Sequence, residues 1–176
     1  MSKVVLYIAM SLDGYIADKN KGVSWLSGDG SDTENTGTYS EFIETVDSII
    51  LGSKTYDQII NELSPNEWVY KGKQTYVMTS KNYNSNEEII FTNQNIKKLI
   101  EQIKITSSKN IWLCGGASII NQCHKLGLID EYIITIIPII LGNGIKLFEL
   151  NDMSVKLKLI SIKTYNGIVD LKYTNY

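Results

Sequence analysis

Ile111-Trp112-Leu113-Cys114-Gly115-Gly116-Ala117-Ser118-Ile119-Ile120 is the stretch that most constrains the fold. A short apolar run with the pattern of a buried strand breaks at two glycines and resumes at helical spacing. Glycines at such a corner let backbone N–H groups approach a ligand that a Cβ would exclude. The helix N-terminus that follows offers unpaired donors and partial positive charge to a phosphate. A tight turn with no ligand has the same pattern, so the decapeptide by itself leaves both readings open.

The remaining chain alternates strand and helix. Val4–Met10, Ser48–Leu51, Gln74–Met78, Ile89–Phe91 and Glu131–Ile137 carry strand patterns. Tyr39, Phe42, Ile43 and Val46 follow Thr38-x-x-Glu41, a capping-box pattern, at helical spacing. Further helices are marked by Tyr56, Ile59, Ile60 and Leu63, by Ile96, Leu99, Ile100 and Ile103, and by Ile119, Ile120 and Cys123, the last stopping at Gly127. Ser11–Gly37 is a long polar stretch, a length more often met in lids and binding loops than in plain connections. Gly142-Asn143-Gly144 marks a turn, and Asn166-Gly167 between two alternating runs marks a hairpin. The expectation is one α/β domain over residues 1–176, a mainly parallel sheet with helices on both faces and a C-terminal antiparallel hairpin.

Composition removes many functions. With 176 residues, a net charge of -2 and a sequence pI near 5.5, nothing points to nucleic acid. No apolar run approaches the roughly 18 residues of a spanning helix, and strand pattern begins almost at the first residue, so neither membrane nor signal peptide is expected. Cys114 and Cys123 are expected as buried thiols in a cytoplasmic protein. Only one histidine, His124, is present, and it is expected to sit structurally at a helix end. No metal site, P-loop or zinc-deaminase signature is found. All 17 basic residues are lysine, so a bound phosphate must be held without a guanidinium fork.

What chemistry remains lies at strand ends, where open α/β sheets bind ligands. Ala9-Met10-Ser11-Leu12-Asp13-Gly14, Gly52-Ser53-Lys54-Thr55, Thr79-Ser80-Lys81 and Cys114-Gly115-Gly116-Ala117-Ser118 all fall at such ends. Together they suit an extended, phosphate-bearing ligand such as a dinucleotide.

Nearly the whole chain resembles the dihydrofolate-reductase-like fold, specifically stand-alone relatives of the reductase domain of bacterial riboflavin biosynthesis. The residues carrying the resemblance are Ala9–Ala17, Gly52–Tyr56, Gly115–Ala117, and Asp130–Tyr132 followed by Pro138–Phe148. The first and last are the specific ones. The resemblance implies a three-layer fold with NADPH across the strand ends, reducing a C=N or C=O in a small heterocycle. Ala9 and Ile16 would flank the nicotinamide. Gly52, Ser53, Lys54 and Thr55 would meet the pyrophosphate at one helix start, and Cys114, Gly115, Gly116, Ala117, Ser118 and Ile119 at another. Thr79, Ser80 and Lys81 would surround the adenosine 2′-phosphate. A cis peptide is expected between Gly115 and Gly116, and a homodimer is implied, with Ile136–Leu141 as one source of contact surface.

Asp13, beside the expected nicotinamide, is the candidate proton donor, directly or through a held water; it could equally organise a turn with Gly14. Ser11 and Trp25 are candidates for the substrate side and lid. Two departures bear on function. Dihydrofolate reductases carry a carboxylate near the position of Thr38, which argues against that activity. Family members often have arginine where Ser53 stands, so NADH is admitted beside NADPH. The alternatives are a reductase of a ribosylated aminopyrimidine phosphate and a non-catalytic dinucleotide sensor.

Overall fold

Alternate side chains of the central strands feed two separate cores. On β1 (Val4–Ser11), Val4 and Leu6 enter one core and Val5 the other. On β3 (Val46–Gly52), Ile50 enters the first and Ile49 and Leu51 the second. On β6 (Asn110–Gly115), Ile111 and Leu113 enter the first and Trp112 the second. Strands buried on both faces read as continuous apolar runs, which is why the sequence shows no alternation here. Each fully buried Val, Leu or Ile contributes roughly 1.5–3 kcal/mol of transfer free energy.

The computed structural model describes residues 2–35, 37–149 and 154–176. The other strands are β2 (Tyr15–Asp18), β4 (Gln74–Met78), β5 (Ile89–Thr92), β7 (Glu131–Ile137), β8 (Gly144–Lys146), β9 (Leu157–Tyr165) and β10 (Ile168–Asn175). The helices are α1 (Tyr39–Glu44), α2 (Ser53–Gln58), α3 (Ile96–Thr106) and α4 (Ala117–Lys125), and α2 runs on into a π-helical turn, Ile59–Leu63. Eight strands form one sheet in the order β5-β4-β3-β6-β1-β7-β10-β9. Pairing is parallel from β5 to β7 and antiparallel from β7 through β10 to β9. Leu99, Ile100 and Ile103 of α3 and Ile119, Ile120 and Cys123 of α4 fill the first core, and Phe42 of α1 with Ile59 fills the second. The expected layered α/β architecture and closing hairpin are both present. Asn166 and Gly167, at φ 48° and 71°, form the hairpin turn with both central residues left-handed.

Two local expectations need correction. Ser11–Gly37 is not one open loop, because β2 forms inside it and pairs antiparallel with β8. Both strands are too short to show periodicity. Gly144 makes their approach possible: a Cβ there would stand 2.1 Å from the Ala17 carbonyl oxygen. The capping box at Thr38 is also absent. Thr38 makes no side-chain bond to the first turn of α1, since its hydroxyl is drawn across the sheet to Asp170.

The rest of the long segment closes over the hairpin. The Asp29 amide donates to the Asn166 carbonyl at 2.9 Å, and the Gly30 and Asp32 amides donate to Asn166 Oδ1 at 2.9 and 3.2 Å.

Candidate active site

β4, β3, β6 and β1 are neighbours in the sheet, so their C-terminal ends lie in sequence along one edge. That edge brings Thr79, Gly52, Gly115 and Ser11 into one row. Gly52 is in register with Met78, which puts Thr79 beside the start of α2. Thr79 Oγ1 accepts the Lys81 amide at 3.1 Å, and Ser80 and Lys81 project into solvent. The Tyr83 hydroxyl donates to Asp57 at 3.1 Å, holding this loop down on α2.

The two strand-to-helix corners touch. A Cβ on Gly52 would stand 3.4 Å from Ile119 Cγ1 and 3.9 Å from the Gly116 nitrogen, and one on Gly116 would stand 3.2 Å from Thr55 Oγ1. Gly115 has φ +132°, a region that favours glycine, and the Gly115–Gly116 peptide is cis, as the resemblance implied. Neither α2 nor α4 has a side-chain N-cap, whereas Asn95 caps α3 by accepting from the Lys97 and Lys98 amides. Paired helix starts without caps, with glycine at each N-cap position, present backbone donors and positive dipole ends to the same place. That arrangement fits a diphosphate.

At the end of β1 the two most specific motifs of the sequence are each other's partners. The Leu12 amide donates to the Ile139 carbonyl at 2.8 Å, and the Leu147 amide donates to the Gly14 carbonyl at 2.9 Å. Asp13 joins them: its carboxylate accepts Ser11 Oγ at 2.6 Å and the Leu141 and Gly142 amides at 3.1 and 2.7 Å. The Ser11 hydroxyl in turn accepts the Tyr15 amide at 3.0 Å. The Ser11 hydroxyl, with the two loop amides, pulls the Asp13 carboxyl down to about 2. These donors favour the ionised form of Asp13, and through them it ties the 138–142 segment to the end of β1.

A buried carboxylate that the sequence did not single out stands nearby. Asp170 of β10 is 4% exposed and accepts Thr135 Oγ1 at 2.6 Å, Thr38 Oγ1 at 2.5 Å and the Tyr165 hydroxyl at 3.4 Å. The Tyr7 hydroxyl lies 3.1 Å from Thr38 Oγ1, and burial pushes its phenol up. Thr38 therefore replaces a carboxylate in sequence but meets one in space. Its only sequence signal was an aspartate in a strand pattern following a hairpin turn.

The remaining candidates are placed as follows. Ile16 on β2 packs against the first core. Trp25 is half-buried and donates from Nε1 to the Gly22 carbonyl at 3.1 Å, which pins it within its own turn. Burial pushes the Cys114 thiol up to about 11 and the Cys123 thiol to about 12, so neither is a nucleophile at neutral pH. His124 lies in the last turn of α4, its ring 5.2 Å from that of Phe148. Among the described residues no cluster could hold a metal ion, and no helix is long and apolar enough to cross a membrane.

The model of the RibD C-terminal domain family matches residues 2–169. The chain belongs to that family. Two Bacillus subtilis relatives extend over almost the whole chain. YwjB, an uncharacterized protein, is 40% identical over 172 residues, covering 97% of each sequence. YyaP, also uncharacterized, is 32% identical over 97% of this chain and 94% of its own. Among solved structures, a Shewanella sp. PV-4 protein provisionally named for riboflavin biosynthesis superposes with TM-score 0.85 at 25% identity over 99% of both chains. A pyrimidine reductase-like protein from Corynebacterium diphtheriae gives TM-score 0.65 at 16% identity, covering 99% of this chain and 92% of that one. Acinetobacter baumannii RibD gives 0.73 at 18% identity, with this chain spanning 58% of that longer one. The last two show the fold alone. The RibD C-terminal architecture thus spans this chain nearly end to end.

Proposed function

We propose that this protein is an NADPH-dependent reductase of a small heterocycle, in the manner of the riboflavin-biosynthesis reductase that its family name evokes. The reading rests on one observation above all, the contact between the starts of α2 and α4, each with glycine at its N-cap and no side-chain cap, at the C-terminal edge of the sheet. The backbone donors there would hold the pyrophosphate, with Lys54 and Thr55 beside it. Thr79, Ser80 and Lys81 would take the 2′-phosphate, with NADH admitted because lysines act as point charges rather than forks. Ala9 and Ile16 would bracket the nicotinamide, which when bound supplies the hydride. Asp13 keeps the neighbouring segment in place.

The protein is read as cytoplasmic and as a homodimer. Within Ile136–Leu141, Ile137 is buried in β7 and Ile140 is exposed, so Ile140 is the residue of that run free to meet a second copy. The exposed apolar residues of the edge strand β9, Leu159, Ile160 and Ile162, are a second such surface.

Titration of NADPH and NADH against tryptophan fluorescence tests the reading. NADPH is expected to bind in the micromolar range and to lose about tenfold in affinity in Lys81→Ala, with NADH unaffected by that change. Failure of both nucleotides to bind would sink the proposal. Binding without consumption across pyrimidine and pterin substrates would favour a sensor.

A further inference from the structure

Along the second core, aromatic rings follow one another in contact from the surface to the candidate active site. Tyr83, on the loop after Thr79-Ser80-Lys81, lies 6.2 Å from Tyr56 of α2, ring centroid to ring centroid. Tyr56 lies 5.6 Å from Trp68, Trp68 5.2 Å from Tyr70, and Tyr70 5.1 Å from Trp112 of β6. Trp112 reaches Tyr39 of α1 at 5.9 Å and Tyr7 of β1 at 6.5 Å. All are contact distances for aromatic pairs, and every ring named is a tyrosine or a tryptophan, the oxidisable aromatics. The inner end adjoins the candidate active site: Trp112 is two residues before Cys114 on β6, and Tyr7 two before Ala9 on β1. The outer end is Tyr83, half-buried at the surface.

Packing asks only for apolar bulk, which phenylalanine would supply; what singles this path out is where its protons can go. An indole can lose an electron and keep its N–H, whereas a phenol at neutral pH gives up an electron only as its proton leaves. Trp112 donates from Nε1 to the Tyr7 carbonyl at 3.0 Å, and Trp68 Nε1 is buried with no partner among the described residues. Neither indole therefore meets a base. Tyr70 meets only the Cys114 thiol, at 3.6 Å, and burial pushes its phenol up, so it keeps its proton. Of the five phenols on the path, Tyr83 alone donates directly to a carboxylate. Its hydroxyl stands 3.1 and 3.3 Å from the two oxygens of Asp57, an acceptor suited to a proton released on oxidation.

We propose that this path carries an oxidising equivalent from its inner end, through Trp112 and Trp68, to Tyr83, which passes its proton to Asp57. The oxidant is a one-electron organic radical, which takes an electron from Trp112 and becomes an anion. Trp112 is refilled from Trp68 across Tyr70, and Trp68 from Tyr83 across Tyr56. Tyr83 thus loses one electron and one proton, and the Asp57 carboxylate becomes a carboxylic acid. A solvent thiol then returns a hydrogen atom to the Tyr83 oxygen, itself becoming a thiyl radical, and Asp57 gives its proton to water. The oxidising equivalent leaves at the surface instead of remaining beside Cys114 and the glycine corner. The path is built from protein rings alone and does not depend on the reductase reading.

The test places an oxidant at the inner end. Ser40 is exposed beside Tyr39, and burial raises the Cys114 and Cys123 thiols to about 11 and about 12, so a ruthenium photosensitiser can be attached selectively at Ser40→Cys. Flash oxidation of the labelled protein is followed by transient absorption and electron paramagnetic resonance. A tyrosyl radical is expected, forming more slowly in D2O than in H2O. Adding Tyr83→Phe is expected to lower the tyrosyl yield at least fivefold and to leave a tryptophan radical in its place. Trp68→Phe keeps an aromatic ring but breaks the relay, and should lower the yield as much. Asp57→Asn keeps every ring and removes the base; it too should leave a tryptophan radical, an effect that packing would not produce. A tyrosyl yield unchanged in Tyr83→Phe, or unchanged in both Trp68→Phe and Asp57→Asn, overturns the inference. So does a labelled protein that gives no tyrosyl radical.

Discussion

A methyl group on Gly116 would stand 3.2 Å from the Thr55 hydroxyl, so α4 begins in contact with the first turn of α2. The same construction on Gly52 leaves 3.4 Å to Ile119 Cγ1, an ordinary contact. Gly52→Ala is therefore expected to fold with a thermal midpoint near wild type and yet to weaken NADPH at least tenfold, about 1.4 kcal/mol, because the methyl intrudes on the diphosphate rather than on the protein. Gly115→Ala should behave differently. At φ +132° an alanine is strained by about 1–2 kcal/mol, which denaturant unfolding would read. Equal stability losses in the two variants would contradict this division.

Asp13 makes a prediction about pH. Its folded carboxyl is lowered from 3.8 to about 2, so its contribution to stability is complete above pH 4 and disappears as the pH falls through 2. Asp13→Asn should show a flatter acid unfolding curve than wild type between pH 4 and 2, followed by tryptophan fluorescence. The kcat profile between pH 5 and 9 should keep its shape in the variant. Loss of one limb there would identify Asp13, or a water it holds, as the proton donor.

Asn166 does two jobs that substitution can separate. Its left-handed backbone forms the hairpin turn, and its side chain accepts the Gly30 and Asp32 amides. Asn166→Gly keeps the turn and removes the clasp, costing about 1 kcal/mol for exposed bonds of this kind. Faster amide hydrogen exchange confined to residues 28–32 is expected, with the β9–β10 ladder still protected. Uniform loss of protection across the hairpin would show that the turn itself had failed.

The edge strand β9 leaves Leu159, Ile160 and Ile162 about half exposed, and an unpaired edge carrying apolar side chains invites a second copy. Sedimentation should show a dimer that Ile160→Lys combined with Ile162→Lys converts to monomer. A wild-type monomer at tens of micromolar would remove the dimer from the proposal.

Much of this was legible one residue at a time. Strands β1, β3, β6 and β7 announce themselves because both faces are buried and apolar residues follow one another without alternation. Asn166-Gly167 announces its turn because few residues tolerate two left-handed conformations in succession. The diglycine corner followed from its own residues, and its cis peptide from the family resemblance. The strand pair β2 and β8 did not show, since four and three residues are too few for a period and their pairing spans more than a hundred positions. Thr38 misled for a related reason. Its spacing to Glu41 satisfied a capping box, but a carboxylate 132 residues away accepts a hydroxyl proton more strongly than a backbone amide competes for the oxygen.

Local chemistry thus determined the elements, the layered α/β class and the edge where backbone donors gather, because periodicity and glycine placement act over a few residues. Only the tertiary structure decided what the acidic residues do. Asp13 became a fixed anion when Leu141 and Gly142 came to it, and Asp170 became a buried acceptor when Thr38 and Thr135 did. A carboxylate's protonation and use depend on its surroundings in space, and those surroundings are assembled from segments far apart in the chain.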